Sequence, residues 1–141
     1  MDGSGNEAKS SHLNGMKNET LLHRQVHPSF VIGEFISSQA FSSQVFTPTE
    51  KDEGMLSVYN GNKFSAEESS EHYRDLGFTA VGVVAVSKQE CNTQQLEVVE
   101  NNDPFDGHCF IDYRGISKNQ IKKKAKKLKQ LATERDWLFR P

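Results

Sequence analysis

FTAVGVVAV, residues 78–86, is the most apolar run in the chain, and its length and valine content read as a core strand, central in a sheet and covered on both faces. Upstream of it lies a well-marked helix. Ser65 stands at the N-cap, Glu68 completes a capping box, and Gly77 is placed to end the helix. Between them Ala66, Ser69, Tyr73 and Leu76 share one face at helical spacing. Downstream, Ser87 and Glu90 form a second capping box and predict a short helical turn. LEVV (96–99) and HCFIDY (108–113) then read as strands, with the Asn101 to Gly107 stretch turning between them.

The final helix is predicted from residue 118 to about 136, capped by Ser117 with Gln120. Ile121, Ala125, Leu128 and Ala132 line its apolar face. Trp137, Leu138 and Phe139 are apolar enough to dock the C-terminus back onto the body. In the first half, LLHRQV (21–26) is a strand with Leu22, Arg24 and Val26 on one face and His23 and Gln25 on the other. Pro28 ends it, since proline has no N–H for a ladder. FVIGEF (30–35) reads as a second β-type run bent at Gly33, and Phe41 and Phe46 of the near-duplicate SSQAF and SSQVF anchor a loop onto the core. TPTEKDEG (47–54) is an exposed, turn-rich connection, and residues 56–59 form a strand closed by Asn60-Gly61, a hairpin-type turn signal. The fold class is α+β: a small single domain with a mixed or antiparallel sheet of five to six short strands and two main helices, the C-terminal one basic.

The 141 residues suffice for one core. Residues 1–20 are polar or small with no apolar period and are expected to be a disordered tail ahead of a domain over 21–141. They lack the cationic start and apolar run of a signal peptide, and no segment approaches a membrane span, so a soluble cytoplasmic protein is expected. The cysteines, Cys91 and Cys109, form no CxxC or Cys/His cluster, so neither a metal site nor a cofactor motif is read. Charge is unevenly spread. From residue 118 to 141 nine Lys or Arg face two acids, giving +7, so a net charge of -2 leaves -9 on residues 1–117. Such polarity points to a partner surface, or to the two halves facing one another.

Three groups of residues are candidates for chemistry. His23, Arg24 and His27 form the first. Alternation places His23 and Arg24 on opposite faces, so a regular strand does not aim both into one pocket, but Arg24 facing a cleft would clamp a phosphate or carboxylate. The second group pairs His108 with Asp112, four apart and on one strand face, with His72 as a distant partner. The third is the lysine run of the last helix. Lys122, Lys123, Lys126 and Lys127, within the stretch from Lys122 to Lys129, could meet nucleic-acid backbone or another anionic surface. No aromatics interleave it, so nucleic-acid contact there would be blind to sequence.

Arg24 followed by FISS (35–38) is similar, in order, to the arginine-then-serine layout of ADP-ribosyltransferase-like folds. That resemblance implies that Arg24 and Ser38 hold a nicotinamide dinucleotide and that a later glutamate steers the reaction. The chain departs from it in having no Glu-x-Glu pair, Glu97 and Glu100 standing at another spacing. The leading expectation is therefore a non-catalytic binding or accessory module, with an acidic body that packs a partner protein and a basic helix that touches an anionic surface. A nucleotide-handling enzyme using Arg24, Ser38 and Glu97 or Asp112, and a sequence-blind nucleic-acid binder, are the alternatives.

Overall fold

In the computed structural model, which describes residues 16–31 and 41–141, the strands are β1 (Leu21–Val26), β2 (Met55–Asn60), β3 (Gly82–Ser87), β4 (Glu97–Val99) and β5 (His108–Asp112). They form one sheet in the order β3-β1-β2-β5-β4, every pairing antiparallel. The helices are α1 (Ala66–Asp75), the short α2 (Lys88–Thr93) and α3 (Lys118–Arg135). The α+β class holds, with the sheet wholly antiparallel.

The capping signals worked where they were expected. Ser65 and Glu68 close a reciprocal box at α1, Ser87 and Glu90 another at α2, and the Ser117 hydroxyl accepts from the Gln120 amide at α3. On α3, Ala125, Leu128 and Ala132 are fully buried against the sheet face that carries Leu22, Val26, Leu56, Val58, Cys109 and Ile111. Phe41, Val45, Phe46 and Tyr113 complete this core, and the Tyr113 hydroxyl donates to the Phe46 carbonyl at 2.6 Å. Met16 packs into the same cluster and Thr20 is buried, so the packed body begins before Leu21. Residues 1–15, most of the expected tail, lie outside the described residues.

Several elements differ from expectation. The strand within residues 78–86 starts only at Gly82, and among the described strands it is not central: β3 lies at one end of the sheet, paired with β1. Its other edge is covered by the C-terminal tail. There the Val83 amide donates to the Phe139 carbonyl at 2.9 Å, and the Leu138 amide donates back to the Val83 carbonyl at 2.8 Å. An edge strand thus gains the burial of an inner one, which is why its composition reads as central. Phe78, ahead of the strand, is 55 % exposed. The buried face of α1 consists of Ser69 and Ser70, while Leu76 is 53 % exposed. Asn60-Gly61 turns the chain into α1 rather than into a second strand; Gly61 is needed there because a Cβ would lie 2.4 Å from the Leu21 carbonyl oxygen. Pro28–Phe30 is a 3-10 turn, Val31 makes a single bridge to Phe41, and the remainder of the expected run over 30–35 lies outside the described residues.

Candidate functional site

The site follows from a gap in the sheet. β1 pairs with β3 along all six of its residues but with β2 only at Leu22↔Asn60 and His23↔Tyr59. Continued pairing would set Gln25 against Ser57. Instead the Ser57 carbonyl receives the Arg24 Nη1 at 3.1 Å, while Arg24 Nε donates to the Val45 carbonyl at 2.7 Å. The guanidinium occupies the opening between the two strands. This is how His23 and Arg24, on opposite faces of one strand, line the same cavity, contrary to the argument from alternation alone.

The cavity has a volume of about 350 Å³ and lies on the sheet face opposite α3. β1 supplies His23, Arg24 and Gln25, β2 supplies Ser57 and Tyr59, and β5 supplies His108. Tyr73 of α1 and Leu76 at its C-cap, with Phe78 and Phe105, form apolar walls, and Tyr73 stacks on Phe78 at 5.0 Å between ring centroids.

Arg24 is the principal charge here. A guanidinium has five N–H donors; two are used, on Val45 and Ser57, which leaves three without a partner among the described residues. No carboxylate forms an ion pair with it among those residues. Burial lowers its proton affinity, and the fields of Tyr73 and Asp52 pull it back. Arginine stays charged regardless, so a half-buried cation sits here, with Asp52 on the cavity wall acting on it through space and no carboxylate bonded to it among the described residues. Beside it two buried groups lack partners among the described residues: His23 Nδ1, and the Gln25 Oε1 left over when Gln25 Nε2 donates to Ser69 Oγ at 3.0 Å. His23 is 3 % exposed, and burial lowers its pKa to about 4, so it is neutral at pH 7. Native folds rarely leave buried polar groups unpaired. The cavity is therefore suited to an anion that also offers Gln25 a donor.

Ser57 and His108 are diagonal neighbours across β2 and β5, because Ser57 stands opposite Phe110 and Tyr59 opposite His108. His108 Nε2 lies 3.0 Å from Ser57 Oγ, and His108 Nδ1 lies 2.8 Å from Asn101 Oδ1. The Asn101 oxygen can only accept, so Nδ1 carries the proton and Nε2 accepts from the Ser57 hydroxyl. Burial holds His108 below the usual histidine range, opposed by the charge of Asp103.

The other expected residues are dispersed. Asp112 bonds Arg114 through both oxygens at 2.9 Å and does not line the cavity, nor does Glu97, its neighbour on β4. Neither expected acid of the nucleotide-enzyme arrangement reaches the Arg24 cavity, where the carboxylate on the wall is Asp52, and Ser38 lies outside the described residues. The His108–Asp112 pairing is not made, and His72 bonds Tyr59 Oη at 2.9 Å. His27 is exposed and uses Nδ1 to accept from the Ser29 amide at 3.0 Å. Lys122, Lys123, Lys126 and Lys127 are all exposed on α3, without an ion pair among the described residues. Among the described residues no cluster of His, Cys, Asp or Glu could hold a metal ion, and no helix is long and apolar enough to cross a membrane.

Comparison with known proteins yields no family model, no characterised relative and no solved structure that matches this chain.

Proposed function

We propose that this protein is a small binding module that works with a partner protein, taking an anionic group of that partner, a carboxylate or phosphate, into the Arg24 cavity. The observation that carries this reading is the half-buried Arg24 guanidinium, which among the described residues has three N–H donors without a partner and no carboxylate in ion-pair contact. The apolar mouth supports a polypeptide source, since Leu76 and Phe78 stay exposed beside the anion site and suit apolar residues flanking the charge. Both cysteines are buried free thiols, which agrees with action in the reducing cytoplasm.

Affinity purification from the native cell tests the proposal, using wild type and Arg24→Met, each verified as folded by circular dichroism. A stoichiometric protein partner that survives nuclease treatment and is lost from Arg24→Met is the expected result. A partner held equally by both forms would remove Arg24 from the interface and overturn the reading. A second reading, contact with nucleic-acid backbone through α3, is favoured by the four exposed lysines, which make no ion pair among the described residues. It requires duplex DNA binding that falls steeply between about 50 and 200 mM salt and disappears when Lys122, Lys123, Lys126 and Lys127 become Gln.

A further inference from the structure

We infer that Ser57 is a nucleophile, with His108 as its base and Asn101 as the residue that orients the base, and that the cavity cleaves a carboxylic ester bearing an anionic group. The inference deepens the binding reading and rests on it, since Arg24 holds that anion. Three observations meet here. The Ser57–His108–Asn101 hydrogen-bond chain runs in the direction that general-base activation requires, with the imidazole lone pair toward the hydroxyl. Ser57 is solvent-exposed and lines the cavity together with His108, so a substrate reaches both. Arg24 is anchored on the carbonyl of Ser57 itself, which puts its unused donors next to the reacting residue.

The step balances without any further reagent. As Ser57 Oγ bonds the acyl carbon, its proton passes to His108 Nε2. The ester C–O bond then breaks, and the departing alkoxide takes the proton from Nε2. Water next attacks the acyl-serine, gives a proton to Nε2, and the C–Oγ bond breaks as Ser57 recovers that proton. The sum is ester plus water to acid plus alcohol. Asn101 keeps Nδ1–H engaged throughout and acts by positioning, while the nearby Asp103 charge favours the transient imidazolium.

The test uses the full chain with two chromogenic esters, the anionic p-nitrophenyl hemisuccinate and the neutral p-nitrophenyl acetate, together with a fluorophosphonate probe read by mass spectrometry. Wild type should cleave the hemisuccinate at least tenfold faster than the acetate and carry one adduct, on Ser57. Ser57→Ala and His108→Gln should fall to the buffer rate, and Asn101→Ala should lose about tenfold in kcat while leaving KM unchanged. The wild-type rate should rise with pH to a plateau reached below the ordinary histidine range. Hydrolysis that persists in Ser57→Ala, an adduct elsewhere, or no hydrolysis above buffer would each overturn the assignment. Thermal shift with inorganic phosphate separates the two readings. A phosphate shift with an inert Ser57 leaves binding and removes catalysis; a labelled Ser57 with equal phosphate response in wild type and Arg24→Met leaves ester cleavage and removes the anion role of Arg24.

Discussion

Arg135 and Glu90 join the end of α3 to the start of α2 through a two-pronged bond, Nη1 to Oε1 at 2.9 Å and Nη2 to Oε2 at 3.0 Å. Nη1 also donates to the Ala85 carbonyl on β3 at 3.0 Å, and Glu90 accepts from the Ser87 amide at 2.8 Å. One ion pair therefore fixes two helices and a strand. Burial pushes the Glu90 carboxyl up, but the bonds from Arg135 and the Ser87 amide outweigh it and hold the group below its ordinary 4.5. A depressed carboxyl stabilises the fold above its unfolded pKa, and that contribution is lost as pH falls through the folded value. Arg135→Met should cost about 2 kcal/mol at pH 7 and less below pH 4. Urea unfolding at the two pH values decides it; an equal loss at both would mean that the charge is irrelevant.

His23 should set the acid limit of stability. Its pKa is lowered from 6.5 to about 4 by burial, so the unfolded chain binds its proton first as pH falls. Stability is whole above 6.5 and declines toward 4, by about 3 kcal/mol across the interval. His23→Gln should flatten that slope in denaturant titrations between pH 4 and 6.5. An unchanged slope would assign it to other groups.

Gly82 faces the ring of Trp137, the sole tryptophan. A Cβ there would lie 2.5 Å from both Cε3 and Cζ3 and 3.0 Å from the Phe139 carbonyl oxygen. Gly82→Ala should displace the ring, lower stability by about 2 kcal/mol and shift tryptophan emission to the red. Wild-type emission with unchanged Tm would show that the tail is loosely held.

How much of this was legible beforehand depends on whether a signal is local. Capping boxes at Ser65 and Ser87 and the Ala125, Leu128, Ala132 stripe lie within a few residues of each other, so sequence alone placed all three helices. Arg24 also stood out as a cation in an apolar strand. Ser57 and Asn101 did not, because what makes them interesting is the register of β2 on β5 and the turn that brings Asn101 back to His108. The gap between β1 and β2 was hidden for the same reason. Alternation describes a strand by itself, and the loss of a neighbour is what lets Arg24, held on Val45 and Ser57, reach the cavity beside His23.

The lysine face should be a liability to the fold. Lys122 stands one turn from Lys126, and Lys123 one turn from both Lys126 and Lys127; like charges at that spacing repel by about 0.3 kcal/mol per pair. Changing all four to Gln should raise Tm by about 2 °C at low ionic strength and by nothing in 1 M salt, where the Debye length is roughly 3 Å. Calorimetry at two salt concentrations tests this. A fall in Tm would mean that the lysines contribute to packing.

The clasp of Leu138 and Phe139 on Val83 carries a consequence for how the molecule keeps to itself. Without it, β3 would bare the Val83 amide and carbonyl on a wholly buried strand, the kind of rim on which chains join edge to edge, while Arg135 on the Ala85 carbonyl and Glu90 on the Ser87 amide kept their places. The opposite rim, β4, is three residues long and gives little to grip. The guard against edge-to-edge joining is thus shared between Leu138 and Phe139 on Val83 and the Arg135–Glu90 pair further along the strand, and a copy clipped after Asp136 would lose only the first of the two.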